Sequence, residues 1–224
     1  MDKLFRFKKR FIHSYPDVVV RKSATLDWTV KVVCENCNIT WMSDIEREHA
    51  IPAMTPLILG NEVMGITQLQ ADSISLFAFK TAVILNCSDR KRQPFFSRYV
   101  RHEFRTSHGI PLSTRMWLAG FGPFEQGNIQ AVYHEGNMST GHRVQFYLWT
   151  FSVGHLVFQV VSLKNFFGPR VAIRPADDNF LAIPFWPSVP SGVVWPLSHV
   201  LASPAEFNAF AERWESVFVR RVSR

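Results

Sequence analysis

The sequence predicts an α+β protein in which helices pack on an antiparallel sheet. Hydrophobic residues make up 47% of the 224 residues and charged residues 19%, which is typical of a chain that buries a core. Alternating β-like runs occur at 114–121, 129–135, 143–151 and 155–163, with Gly and Asn clustered between them. Evenly spaced strands with short turns indicate an antiparallel meander. The helical spacing of apolar residues before and after this region predicts helices on both sides of it in the sequence.

The region before the meander is expected to begin with an extended segment and a helix. Residues 17–33 are rich in β-branched side chains and then alternate apolar and polar ones, which indicates a strand. Asn38 is a good N-cap for the helix that follows. That helix is expected to bend at Pro52 and Pro56 and to end at Gly60.

Three more helices complete the prediction. A nearly apolar helix is predicted over 72–86, capped by its first residue, an Asp, and a basic helix over 94–107. Ser203 and Glu206 form a capping box for a helix near the C-terminus. Residues 168–196 are rich in Pro and are expected to be irregular.

The chain is basic, with a formal net charge of +7. Excess positive charge favours a polyanionic partner, with an ordinary solvated basic surface as the alternative. No segment reaches the ~18 apolar residues of a membrane span, and residues 1–11 are not followed by the apolar stretch of a secretory signal. We therefore expect DNA or RNA as a non-specific, electrostatic partner, no membrane association and a cytoplasmic location.

Two of the three cysteines form the motif Cys34-Glu35-Asn36-Cys37. Two thiolates separated by two residues can bind one zinc ion at a tight turn, and a structural zinc site then requires two further ligands. A redox pair at a helix N-terminus and two thiols buried without a metal are the alternatives. No P-loop, dinucleotide-binding or G-x-S-x-G motif occurs, so kinase, dehydrogenase and hydrolase functions have no specific support.

The segment around these cysteines resembles certain bacterial and phage HNH endonuclease-like proteins. Residues 31–46 read K-V-V-C-E-N-C-N-I-T-W-M-S-D-I-E, whereas those proteins read approximately K-V-V-C-x-x-C-N-x-G-W-M-S-x-L-E. Weaker matches at 55–60, 80–82, 114–118 and 194–196 extend the similarity over most of the chain.

The resemblance implies an N-terminal zinc-knuckle segment of the treble-clef type, strand-turn-helix, over 1–60 and an α+β body over 61–224. Cys34 and Cys37 would be two ligands of a structural Zn²⁺ ion. Asn38 would begin the helix of a nuclease motif that uses Mg²⁺ or Mn²⁺. In that motif a His in an E-H-x-x-P pattern activates water while the metal stabilises the phosphoryl oxygens.

The chain departs from this pattern in its N-terminal part. No Cys precedes Cys34, and Thr40 replaces the family's Gly. The run from His13 to Pro16 keeps H-x-x-P, but Ile12 stands where the acid is expected. A chain that starts late, a degenerate copy, and a protein that lost cleavage but kept binding all explain these departures.

We therefore interpret the protein as nucleic-acid-associated and HNH endonuclease-like, incomplete or inactive as a nuclease. His13 and Asn38 are its candidate catalytic residues. A non-enzymatic interaction protein that retains the family fold is the alternative.

The basic helix supplies the candidate nucleic-acid contacts. Arg98, Arg101 and Arg105 recur at spacings of three and four, which places them on one helix face. Such a stripe can follow a phosphate backbone, although charge runs often do no more than face water. Glu46, which matches the family's Glu, is interpreted either as support for the site or as part of a solvated helix face.

Overall fold

A computed structural model describes residues 9–15, 32–88, 94–123, 126–137, 143–164 and 182–213. In chain order the elements are β1 (Lys9–Tyr15), α1 (Glu35–Ile39), α2 (Trp41–Asp44), a π-helical segment (Ile45–Ala50), α3 (Ile51–Leu59), β2 (Met64–Gly65), α4 (Gln68–Ser88), α5 (Arg98–Ser107), β3 (Thr114–Phe121), β4 (Gln126–Asn137), β5 (Arg143–Val153), β6 (Leu156–Lys164), β7 (Ile183–Trp186), β8 (Val194–Trp195), β9 (Val200–Leu201) and α6 (Pro204–Glu212). The structure is α+β, as predicted.

A mainly antiparallel sheet forms the centre of the described structure. Its strand order is β1-β4-β5-β6-β3-β7, and β9 pairs with the end of β3. The four predicted strands are confirmed as antiparallel neighbours in one sheet, but only β4, β5 and β6 follow one another as a meander. The prediction is wrong for the first strand, because β3 pairs with β6 and not with β4. The strands β1 and β9 pair in parallel with β4 and β3. The small strands β2 and β8 pair with each other outside this sheet.

The prediction of irregular structure over 168–196 is wrong for 183–186. These residues form β7, because the edge of β3 offers them backbone partners. The same is true of β8, which pairs with β2. Residues 168–181 of that prediction lie outside the described part of the chain.

Both faces of the sheet are covered by helices. Met116 and Leu118 of β3 belong to a cluster with buried side chains of α3, α4 and α5. Ala119 and Phe121 of the same strand pack with Phe207 of α6. Successive residues of a strand point to opposite faces, so β3 and β6 are buried along almost their whole length. The division into 1–60 and 61–224 stays a prediction.

A buried polar group lies on the α6 face. The Gln159 side chain donates to Thr150 Oγ1 at 2.9 Å and to the Phe210 carbonyl at 3.3 Å. Its amide oxygen accepts from Arg213 Nε at 3.1 Å, and the Arg213 guanidinium lies 4.2 Å from the centre of the Phe210 ring. These bonds satisfy the side-chain amide of Gln159 inside the core.

The helix after the C-x-x-C motif begins earlier than predicted. Cys34 rather than Asn38 is the N-cap of α1, because Cys34 is extended and its sulfur accepts from the Cys37 N–H at 3.3 Å. Asn38 lies within α1, and its N–H donates to the Cys34 carbonyl at 3.1 Å. Of the strand predicted over 17–33, residues 32 and 33 form a turn and a bend, and 17–31 lie outside the described residues.

The helix predicted to end at Gly60 is present as α2, the π-helical segment and α3. Pro52 lies in the first turn of α3 and Pro56 within it. The π-helical segment directly precedes Ile51, the first residue of α3, and the Ile51 N–H donates to the Glu46 carbonyl. Gly60 adopts a left-handed conformation with φ 64°, which confirms the predicted stop.

The last carbonyls of α3 find partners in other elements. The Trp195 indole N–H donates to the Leu57 carbonyl at 3.0 Å. The His155 N–H donates to the Ile58 carbonyl, also at 3.0 Å. Carbonyls at a helix end have no partner within the helix, so these bonds join α3 to β8 and to the β5–β6 turn.

Helix α4 starts four residues before the predicted Asp72, which is therefore wrong as a cap. Thr67 and Gln70 form a capping box: the Gln70 N–H donates to Thr67 Oγ1, and the Thr67 N–H donates to Gln70 Oε1. Asp72 lies inside the helix and accepts from the Gln68 amide. In the described ranges, no helix is both long enough and apolar enough to cross a bilayer.

The other two predicted helices are present, and only the start of the basic helix is shifted. The basic helix, predicted over 94–107, begins at Arg98 in the structure as α5. The capping box of α6 is confirmed, since the Glu206 N–H donates to Ser203 Oγ at 3.2 Å. The Glu206 carboxylate returns to accept from the Ala202 N–H.

Candidate functional site

Helix α5 is fixed on the body by one buried ring. Ser97 caps the helix and accepts from the Val100 N–H at 3.2 Å. Phe104 is 1% exposed, and its ring centre lies 4.9 Å from that of Phe79 and 5.9 Å from that of Trp41, edge-on in both cases. This anchoring on α4 and α2 leaves the other side of α5 to solvent.

The three arginines predicted to bind nucleic acid, Arg98, Arg101 and Arg105, lie on α5, and we call them the arginine face. Arg98 and Arg105 are exposed. Arg101 is half-buried, and its guanidinium donates to Cys87 Sγ at 3.3 Å. The helical rise separates Arg98 from Arg105 by about 10 Å along the axis. Planar guanidinium groups held on a fixed helix suit phosphate oxygens.

The C-x-x-C turn lies close to this face. Cys34 is exposed and Cys37 half-buried. Hydrogen bonds from the Cys37 side chain and from the Cys37 backbone N–H lower the pKa of the Cys34 thiol, and the positive charge of Arg105 lowers it further. Arg105 of the arginine face is therefore close enough to the C-x-x-C turn for its charge to act on Cys34.

The side chains around this turn determine whether it could hold a structural zinc ion. A closed structural site needs four ligands. Within the described ranges, no group of three or more His, Cys, Asp or Glu side chains could hold a metal ion. Cys34 and Cys37 are two thiols of one turn, so the described residues do not fit a complete zinc site.

The two candidate catalytic residues lie on different elements. His13 is on the edge strand β1, where its backbone pairs with Gln130 of β4. The structure describes the backbone of His13 and not its side chain. Asn38 is exposed within the short helix α1. Their roles, and those of Mg²⁺ or Mn²⁺, stay predictions.

An ion pair inside the helical layer was missed by the sequence analysis. Lys80 of α4 is 3% exposed, and its ammonium group donates to the Glu46 carboxylate on the π-helical segment. Burial lowers the pKa of Lys80, and the Glu46 charge opposes that shift. A single Lys in the apolar run of α4 was the signal that could have predicted a buried charge with an acidic partner.

A small hollow of about 230 Å³ lies where α3, β3 and β8 meet. Gly60, Gly120, His155 and Trp195 are among the residues that line it. The His155 Nδ1 bonds to the Phe121 carbonyl at 2.8 Å, which orients the imidazole ring. The lining is mainly apolar. We therefore interpret the hollow as a gap between packed segments and not as a ligand site.

Comparison with protein-family models, with curated proteins and with solved structures found no match for this chain.

Proposed function

We propose that this chain is a nucleic-acid-associated protein of the HNH endonuclease-like kind that binds DNA or RNA through the arginine face. The observation that carries the proposal is the exposure of Arg98 and Arg105 on one side of a helix whose other side is fixed by Phe104. The net charge of +7 supports the same partner, because phosphate neutralisation supplies most non-specific affinity.

Contacts between the resembling segments support the family proposal. Glu46, in the strongest matching segment, pairs with Lys80 of a weaker one. Leu57 accepts a hydrogen bond from Trp195, and both residues lie in matching segments. Under this proposal the turn at Cys34 and the helices up to residue 59 correspond to the treble-clef knuckle and its following helix.

The proposal includes poor cleavage. Ile12 replaces the acid before His13, and Asn38 lies within α1 instead of capping a helix. A general base without its neighbouring carboxylate loses the partner that orients it. We therefore assign binding to this chain, and not efficient Mg²⁺- or Mn²⁺-dependent cleavage.

The proposal is tested by comparing single charge reversals. Arg98→Glu and Arg105→Glu should each weaken binding to a fluorescent DNA duplex by about tenfold near 50 mM salt, because each removes a phosphate contact and adds repulsion. Lys164→Glu is the matched control: it changes the net charge equally at an exposed residue of β6. If all three variants lose the same DNA affinity, the loss reflects the net charge of the protein and not contacts made by the arginine face. Absence of binding by the unaltered protein would favour the non-enzymatic interaction protein.

A further inference from the structure

We propose that Cys34 and Cys37 form a thiol–disulfide redox pair that reacts with low-molecular-weight disulfides, with Cys34 as the attacking residue and Cys37 as the resolving one. The inference starts from the misfit between the described residues and a four-ligand zinc site. It does not depend on nucleic-acid binding.

The Cys34 sulfur lies against the backbone of Cys37. Cys34 is extended at the N-cap, with φ −69° and ψ 151°, and its sulfur folds back over the first turn of α1. There it accepts a hydrogen bond from the Cys37 N–H at 3.3 Å. Residues three apart on a helical turn have Cα atoms about 5 Å apart, within the roughly 4.4–6.8 Å that a disulfide spans. The bond can therefore form without moving the helix.

Exposure assigns the two roles. Cys34 is exposed and can meet a disulfide in solution, whereas Cys37 is half-buried beneath it. The positive charge of Arg105 acts on Cys34 and should also attract a disulfide that carries carboxylates, such as oxidised glutathione.

Cys87 offers an internal comparison. It is also a free, half-buried cysteine, but it lies at the C-terminal end of α4 and accepts from the Arg101 guanidinium. It is not part of the C-x-x-C turn. If exposure alone governed the reaction, Cys87 would be modified about as readily as Cys37, which is half-buried like it. The proposed pair would instead oxidise Cys37 and leave Cys87 as a thiol.

The reaction balances in two exchanges. Cys34 loses its proton and attacks one sulfur of the small disulfide, which releases one thiol and leaves a mixed disulfide on Cys34. Cys37 then loses its proton and attacks the Cys34 sulfur, which releases the second thiol. The protein dithiol is oxidised to a disulfide, and the small disulfide is reduced to two thiols.

The test uses the full chain, reduced, treated with a chelator and titrated with oxidised glutathione. Intact mass and peptide mapping should show loss of both thiol hydrogens and a Cys34–Cys37 bond in the unaltered protein and in Cys87→Ser. Cys37→Ser should stop at the mixed disulfide on Cys34. Cys34→Ser, which keeps a capping side chain, should react at least about tenfold more slowly.

Three results would overturn the assignment. The first is a mixed disulfide that persists in the unaltered protein. The second is modification of Cys87 ahead of Cys34. The third is one equivalent of zinc that co-purifies with the protein, protects both thiols and is lost in Cys34→Ser. Circular dichroism of each variant checks that the fold is retained.

Discussion

Lys80 of α4 forms an ion pair with Glu46 of the π-helical segment, and the two partners differ in exposure. The Lys80 side chain is 3% exposed and that of Glu46 is 47% exposed. The ammonium group also lies 5.1 Å from the centre of the Phe77 ring. A buried cation is thus held at the inner side of the helical layer by a carboxylate that reaches water, which ties α4 to the segment that follows the C-x-x-C turn.

Removing the carboxylate should cost more than removing the cation. Glu46→Gln leaves the Lys80 ammonium buried without a charged partner and should lower the free energy of unfolding by about 1–3 kcal/mol. Lys80→Met replaces the pair by an apolar side chain of similar length and should stay within about 1 kcal/mol of the unaltered protein. Urea unfolding measures both, and the reverse order would contradict the role given to Glu46.

The same pair predicts a dependence of stability on pH. Burial lowers the pKa of Lys80 below the ordinary 10.5, so the unfolded chain binds more protons between the lowered pKa and 10.5. The cost of burying the charge is therefore complete below the lowered pKa and is relieved as pH rises through this window. As the pH rises through this window, the stability of the unaltered protein relative to Lys80→Met should rise, and it should rise more steeply for Glu46→Gln. A flat difference would show that Lys80 has its usual pKa.

Replacing Gly60 by Ala should lower stability both through backbone strain and through a clash with His155. Gly192, which has only the strained backbone, serves as the control. Its φ is +64°, and a Cβ there would lie 2.8 Å from His155 Cδ2. Gly192 has φ +78° with nothing within 4 Å of an added Cβ. Gly192→Ala should cost only the left-handed strain, about 1–2 kcal/mol, and Gly60→Ala more than that. Equal losses in urea unfolding would show that the His155 contact relaxes freely.

Much of the fold could be predicted because its signals are local. Alternation over 114–163 predicted four antiparallel strands, although not that β3 pairs with β6. Ser203 with Glu206 predicted the start of α6. Gly60 predicted the end of α3 because a left-handed residue is required there. The Thr67–Gln70 capping box was equally local and was overlooked in favour of Asp72.

The remainder of the fold depends on tertiary partners. Residues 183–186 form a strand only because the edge of β3 is available, and periodicity carries no information about that edge. Asn is a favourable N-cap residue, but the N-cap of α1 lies four residues before Asn38 because the Cys34 sulfur caps the helix.

The sequence predicted which residues belong to the candidate site, but not how they contact one another. Spacing alone placed Arg98 and Arg105 on one helix face. It gave no sign that Arg101 turns to Cys87, or that Arg105 comes close to Cys34. Those contacts join residues far apart in sequence, so only the packing of α5 determines them.

Cleavage is expected to be absent or poor. Plasmid incubated with the protein and Mg²⁺ or Mn²⁺ should stay supercoiled, because His13 has no acidic neighbour in the sequence. Agarose electrophoresis over several hours checks this. Robust nicking that disappears in His13→Ala would establish His13 as a general base and would contradict the inactive assignment.

The salt dependence of duplex binding tests the central claim most directly. The logarithm of the affinity should fall linearly with the logarithm of the salt concentration, since bound phosphates release counterions. In the double variant Arg98→Ala with Arg105→Ala, the slope should become shallower by about 1.8, because each lost phosphate contact contributes about 0.9. An unchanged slope in the double variant, or binding that salt does not weaken, would contradict the assignment of the arginine face to nucleic acid.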